Sequence, residues 1–116
     1  MRKALVVFAL CISTTGFAFA KIPSESTHAQ IVSAMQARIK VPVLIVGPMA
    51  QAGTWMLTRW DTGDSGGKGE AVLRQSGSAW AVVRSAGGTM ENARYLESIG
   101  VPAAIAQALV KDMKRL

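Results

Sequence analysis

The stretch WDTGDSGGKGEAVLRQSGSAW, residues 60–80, sets how the chain folds back on itself. Residues 70–75 alternate in side-chain character as a strand with one buried face does. The glycines on either side of them allow backbone conformations that a Cβ disfavours. The stretch therefore predicts a strand end, a wide glycine-rich turn, a central strand, a tight turn and the start of another strand. A tryptophan stands at each end, and we expect Trp60, Trp80 or both to anchor the core.

The first twenty residues have the pattern of a secretory signal peptide. Arg2 and Lys3 precede an apolar run over residues 4–12, and small residues alternate with phenylalanine before position 21. The apolar run is shorter than the ~20 residues that a membrane span needs. We expect cleavage after Ala20, a periplasmic or secreted location without membrane insertion, and one domain over residues 21–116.

The composition of the mature chain argues against a disulfide-stabilised domain and against a nucleic-acid-binding protein. Its one cysteine, Cys11, leaves with the signal peptide, so the domain has no disulfide and depends on its core. Removing Arg2 and Lys3 leaves 11 basic residues against seven acidic ones, a net charge of +4. The basic residues are scattered and lack the stacking aromatics of a nucleic-acid surface, so we expect no nucleic-acid partner.

Periodicity and turn residues predict seven elements in the mature chain. A capping box at Thr27 and Gln30 would start the first helix. Gly100 would end the second helix, and Pro102 would start the third. The predicted ranges are a helix over 26–39, strands over 43–46, 54–60, 70–75 and 79–84, a helix over 91–98, and a final helix from residue 102.

This order predicts an α+β fold. Short connections favour a four-stranded antiparallel meander, with the N-terminal helix and the two C-terminal helices packed on it in a two-layer domain. Residues 51–53 would form the first turn between strands. Pro48 would be tolerated only at a sheet edge or a bulge.

Two short motifs in the glycine-rich turn suggest enzymes that the rest of the chain excludes. Residues 63–67 match the sequence around the nucleophile of trypsin-like proteases, but the mature chain has one histidine and is too short for that fold. Ser65 and Lys68 have the spacing of penicillin-recognising enzymes without their companion motifs. No glycine-lysine-hydroxyl triplet completes a phosphate-binding loop. We therefore expect no catalytic residues and no enzyme.

Metal-ligating residues are few in the mature chain. His28 has no cysteine or carboxylate pair beside it, so it predicts no zinc site. Thioethers are soft donors suited to Cu(I). Met35 and Met113 lie on apolar helix faces, where core filling explains them. Met49 and Met90 have less structural reason and are the weak metal candidates. No cofactor is expected.

The chain from Pro48 onward resembles a family of small secreted bacterial proteins, the copper uptake system-associated proteins. The features that carry the resemblance are Pro48, Gly53, the Trp60-to-Gly67 glycine motif, Ala71, Leu73, Trp80, Gly87-Gly88, Leu96 and Gly100-Val101-Pro102. The resemblance implies a periplasmic accessory that works alongside copper import and chaperone components. Members of the family often carry a cysteine just before the Gly-Gly pair, where this chain has Arg84-Ser85-Ala86.

We therefore expect an exported accessory or binding protein without enzymatic activity, resembling the copper uptake system-associated proteins. The alternative is an inhibitor or binding partner of another exported protein, acting through the loop of residues 63–69. In either case the expected partner is a periplasmic or secreted protein, and copper is only a weak candidate ligand. The candidate partner-binding residues are Asp64, Ser65, Gly66, Gly67 and Lys68.

Overall fold

In this computed structural model, residues 23–63 and 67–116 are described. Within these ranges three helices and four strands follow in the expected order. They are α1 (Glu25–Arg38), β1 (Ile45–Ala52), β2 (Trp55–Asp61), β3 (Lys68–Ser76), β4 (Ala79–Gly87), α2 (Ala93–Ser98) and α3 (Ala103–Met113). The strands form one antiparallel sheet in the order β1-β2-β3-β4. The predicted α+β meander is confirmed.

Two tight hairpins produce the meander. Gly53 (φ 60°) and Gly77 (φ 64°) each occupy the first central position of a two-residue turn, and no non-glycine residue among those described has a positive φ. That combination is a type II′ turn, whose twist matches that of the paired strands. Ala52 therefore pairs with Trp55, and Ser76 pairs with Ala79.

Both faces of the sheet are covered, which corrects the predicted two-layer arrangement. One cluster packs the sheet against α2 and α3, and its strand residues include Trp55, Leu57 and Val72. The other packs the opposite face against α1, and its strand residues include Met56 and Leu73. Neighbouring residues of one strand point to opposite faces. The domain therefore has three layers, with the sheet in the middle.

The helix ends differ in detail from the prediction. Ser24, not Thr27, is the N-cap of α1, and its Oγ accepts a hydrogen bond from Thr27 N at 3.3 Å. The predicted capping box was therefore wrong by one turn. Asn92 caps α2 in the same way, accepting from Tyr95 N at 3.0 Å. Gly100 follows the end of α2 with φ 107°, as predicted.

The largest correction concerns β1. The predicted strand over 43–46 begins only at Ile45, and it continues to Ala52, so that of the segment 51–53 expected to turn only Gly53 does so. Pro48 is compatible with this because β1 is an edge strand and the register shifts between Val46 and Met49. The expectation that Pro48 sits at an edge or bulge is confirmed.

The tryptophan prediction is also confirmed. Trp80 is 8% exposed and belongs to the cluster under α1. Trp60 is half-buried, and its Nε1 donates to Glu70 O at 3.3 Å. Trp55, which the sequence did not single out, is buried on the other face, with the Arg74 guanidinium 5.2 Å from its ring centre.

Candidate functional site

A cleft lies where the β2–β3 turn meets the end of β4. Its volume is about 300 Å³. Glycines from three parts of the chain line it, together with charged side chains from β2, β3 and the segment after β4. The lining residues are Gly47, Arg59, Trp60, Asp61, Lys68, Gly69, Glu70, Gly88, Thr89 and Glu91. We call this the turn cleft.

Close backbone packing beside the turn cleft requires glycine at position 69. Gly69 pairs with Gly87 across β3 and β4. A Cβ on Gly69 would lie 2.7 Å from Gly87 Cα and 2.8 Å from Trp60 Cζ2, and closer still to Ala86 O. No side chain fits there without moving a strand. This glycine therefore sets the distance between β3 and β4 at the cleft.

Three charged side chains form a network along one side of the cleft. Arg59 and Glu70 are cross-strand partners on β2 and β3. Arg59 Nε donates to Glu70 Oε2 at 3.4 Å, and Arg59 Nη2 donates to Glu91 Oε2 at 2.9 Å. The same Nη2 donates to Met113 O at 3.2 Å, at the end of α3. One guanidinium thus joins two strands, the segment before α2 and the last turn of α3.

The carboxyl of Glu70 has protein donors on both oxygens. Its Oε1 accepts from Thr89 Oγ1 at 3.1 Å and, in a short hydrogen bond, from Met90 N. Its Oε2 accepts from Arg59 Nε. The side chain is only 4% exposed. Glu70 therefore fixes the chain after β4 against β3, and its oxygens are occupied by the protein.

The two carboxyl groups of the network have opposite pKa shifts. Burial raises the pKa of Glu70, and the neighbouring Glu91 raises it further. A hydrogen bond with Glu70 is the largest cause that lowers the pKa of Glu91, and Arg59 adds to it. Two close carboxyls ionise in sequence because the first charge disfavours the second. As pH rises, Glu91 therefore loses its proton before Glu70 does.

These shifts predict opposite pH effects on stability for two matched variants. The raised Glu70 pKa means that the folded protein binds the extra proton, so stability falls as pH rises above about 4.5, the ordinary value. Glu70→Gln should remove that fall. The lowered Glu91 pKa contributes stability that is lost as pH falls below the ordinary value. Glu91→Gln should remove that acid-side loss. Urea melts between pH 3 and 8 measure both, and identical pH profiles for the two variants would contradict the assignment.

Two of the five candidate partner-binding residues, Gly67 and Lys68, lie at the rim of the turn cleft. Gly67 and Lys68 are exposed, and Lys68 lines the cleft. Asp64, Ser65 and Gly66 lie outside the described residues. The turn is held at its base, where Thr62 Oγ1 donates to Gly67 O at 2.9 Å and Asp61 Oδ1 accepts from Gly63 N at 2.8 Å.

The two methionine candidates lie apart. Met49 is 4% exposed in the cluster under α1, whereas Met90 is 3% exposed in the cluster with α2 and α3. The sheet separates these clusters, so the structure does not bring the two thioethers together. Among residues 23–63 and 67–116, no group of three or more His, Cys, Asp or Glu side chains is arranged to hold a metal ion. Met35 and Met113 are fully buried, as core residues should be.

We predict that the mature domain binds no copper tightly. Isolated thioethers are neutral donors and offer no charge to offset stripping water from the ion. Titration of the domain with Cu(I) against a competing chelator should leave the metal on the chelator, with Met90→Leu behaving as wild type. A one-to-one site that withstands the chelator in wild type and disappears in Met90→Leu would contradict this.

Sequence reasoning missed the network of Arg59, Glu70 and Glu91. The predicted strands over 54–60 and 70–75 place residues 59 and 70 on neighbouring strands, but the wide turn between them leaves the register open, so the sequence did not specify the Arg59–Glu70 pair. The contact between Glu91 and Arg59 could not be predicted from the sequence, since it spans 32 residues and depends on how the chain leaves β4.

Comparisons of the chain with protein-family models, with curated proteins and with solved structures found no match. In the part of the chain that the structure describes, no helix combines the length and the apolar character needed to cross a bilayer.

Proposed function

We propose that this protein is an exported accessory protein without enzymatic activity that acts by binding another exported protein at the turn cleft. The observation that carries the proposal is the composition of the cleft. Exposed Lys68 and Gly67 stand at its rim, and glycine backbone and charged side chains line it. Glycines leave peptide groups accessible, and charges of both signs suit a polar segment of a partner.

Binding agrees better with the geometry than catalysis does. A general acid or base must reach the proton that it transfers. Glu70 has the raised pKa that such a group needs, but its oxygens already accept from Thr89, Met90 and Arg59. These interactions favour a structural role for Glu70, which holds the segment after β4 against β3 beneath the cleft. The rim of the turn cleft, with exposed Gly67 and Lys68, is the surface open to a partner.

In this proposal, any role of the protein in copper handling depends on its partner and not on a metal site in this chain. The resemblance to copper uptake system-associated proteins implies such a role, and the separated positions of Met49 and Met90 favour a protein contact over a metal site in this chain. The name of a family does not transfer its chemistry.

Site-specific photo-crosslinking in the native compartment tests the proposal. The full chain, including residues 1–20, carries a photoreactive residue at position 68, and a matched control carries it at position 111, an exposed lysine on α3. We expect a defined crosslinked protein from position 68 and none from position 111. Intact mass of the exported chain, expected to begin at Lys21, checks the location independently. Equal crosslinking from both positions would contradict a specific contact at the cleft.

A further inference from the structure

A row of apolar side chains is exposed where the chain enters β1. Val41, Val43 and Ile45 are 37%, 58% and 55% exposed. Leu44 and Val46, by contrast, pack in the cluster under α1. Neighbouring residues of an extended segment point to opposite faces. Val43 and Ile45 therefore lie on the face of the sheet that carries α2 and α3, beyond the part that these helices cover.

The register of the sheet continues this row toward the turn cleft. Ile45 pairs with Asp61, and Asp61 pairs with Lys68, so the three side chains share that face. Val43 extends the row, because its Cγ1 is 3.8 Å from the position that a Cβ on Gly63 would occupy. The apolar row thus lies beside the β2–β3 turn, on the same face as the charged side chains of the cleft.

Basic residues border the apolar row. Lys40 precedes it directly in the chain, and Lys68 lies in the same register row two strands away. The end of α3 reaches this region as well, since Met113 O accepts from Arg59 Nη2 at 3.2 Å. The exposed basic residues here are Lys40, Lys68, Lys114 and Arg115. These four residues and the apolar row form what we call the apolar-basic surface.

The acidic side chains beside this surface are engaged within the protein. Asp61 Oδ1 accepts from a backbone N–H of the β2–β3 turn at 2.8 Å, and Glu91 Oε2 accepts from Arg59 Nη2 at 2.9 Å. After Glu70 and Arg59, Lys114 also lowers the pKa of Glu91, so its ammonium group lies on the cleft side of α3. The surface therefore presents apolar groups together with positive charge.

We propose that the apolar-basic surface adsorbs to an anionic lipid bilayer. Exposed apolar patches mark sites of contact with proteins or membranes. A bilayer interface has hydrocarbon directly beneath anionic phosphates, which matches an apolar row bordered by basic side chains. A second copy of this chain would instead bring the same positive charge against the surface. The contact is made by side chains at the interface and leaves the whole domain on one side of the bilayer.

This surface is distinct from the protein contact proposed at the turn cleft. The two share Lys68, so the variants that test the lipid contact are chosen away from that residue. Loss of lipid binding would leave the proposed protein contact intact, and absence of a protein partner would leave the lipid contact intact.

Co-sedimentation of residues 21–116 with lipid vesicles tests the proposal; this part of the chain contains both core clusters. One set of vesicles contains about 30% phosphatidylglycerol in phosphatidylcholine, and the control set is phosphatidylcholine alone. We expect half of the protein to bind the anionic vesicles below about 1 mM accessible lipid, and the neutral vesicles to bind it at least about tenfold more weakly. Equal binding to both sets, or binding to neither, would overturn the proposal.

Two matched pairs of variants separate the apolar-basic surface from general electrostatics. Ile45→Asp should weaken binding to anionic vesicles at least about tenfold, whereas Val83→Asp, at an exposed position of β4 on the other edge of the sheet, should change it little. Lys40→Glu should weaken binding more than Arg74→Glu, because Arg74 pairs with Trp55 at the far end of β3. Equal weakening within either pair would overturn the proposal.

The position of the domain on the bilayer can be measured directly. Lipids that carry a nitroxide near the headgroup should broaden the amide NMR signals of residues 41–45 and leave those of the β3–β4 turn, residues 76–79, unchanged. Thermal melts check that each variant is folded. Broadening centred on the β3–β4 turn, or a wild-type dimer without lipid that Ile45→Asp dissociates, would also overturn the proposal.

Discussion

Trp80→Ala is expected to leave the domain unfolded or barely folded. Trp80 is 8% exposed and packs in the cluster that contains Ile31, Met35 and Leu73, where it joins α1 to the sheet. Truncating a buried tryptophan to alanine costs about 3–5 kcal/mol. Domains of this kind have a free energy of unfolding of ~5–15 kcal/mol. The chain has a single cysteine and therefore no internal disulfide, so that loss is a large share of the total.

Trp80→Phe is the matched control for this variant. Trp80 Nε1 is buried and has no hydrogen-bond partner among the described residues, so phenylalanine sacrifices no such bond there. Phenylalanine keeps an aromatic ring and most of the packing volume, so Trp80→Phe should lower the free energy of unfolding much less than Trp80→Ala. Urea melts measure both variants. A Trp80→Ala midpoint within about 0.5 kcal/mol of wild type would show that the indole is not a core anchor.

Gly69→Ala is expected to destabilise the domain by about 3 kcal/mol, the upper end of the usual cost of overpacking. The added Cβ would meet Ala86 O and Gly87 Cα, which are backbone atoms of the neighbouring strand, and also the ring of Trp60. Backbone atoms cannot rotate away as a side chain can. The strands β3 and β4 must therefore separate beside the turn cleft.

Gly87→Ala provides a control across the same strand pair. Gly87 is the register partner of Gly69, but a Cβ added to it would find its nearest neighbour, Lys68 O, at 3.7 Å. That is an ordinary van der Waals distance, so we expect little change in the urea midpoint. Equal midpoints for Gly69→Ala and Gly87→Ala would contradict the close approach at position 69.

The sheet topology could be predicted from the sequence because its turns are local. Gly53 and Gly77 each define a two-residue turn, and the glycine-rich segment before Glu70 defines a third connection. Consecutive strands joined by such short connections pair as neighbours. The order of the seven elements followed from these turns and from the helical spacing of apolar residues.

The predicted two-layer arrangement was wrong because the central strands have no continuous apolar run in the sequence: Thr58 and Glu70 are polar and yet buried. Residues 55–58 and 69–73 are buried without interruption, which happens when both faces of a sheet are covered. The extent of β1 was missed for a different reason. Pro48 and the adjacent glycine suggested the end of a strand, whereas an edge strand accommodates them at a register shift.

The turn cleft was predicted only in part. The glycine motif drew attention to residues 63–69, and Lys68 does line the cleft. The charged network beneath it needed tertiary contacts, since Arg59 meets Glu91 and the end of α3 across the fold. No local pattern in the sequence specifies where those segments meet.

The affinity of the domain for the protein crosslinked from position 68 tests the central claim most directly. Lys68→Glu reverses a charge at the cleft rim, and Lys111→Glu makes the same change on exposed α3. Calorimetry should show binding weakened about tenfold or more by Lys68→Glu and unchanged by Lys111→Glu, because a contact charge acts only where the partner sits. Equal affinities for the wild type and both variants would contradict the turn cleft as the binding surface.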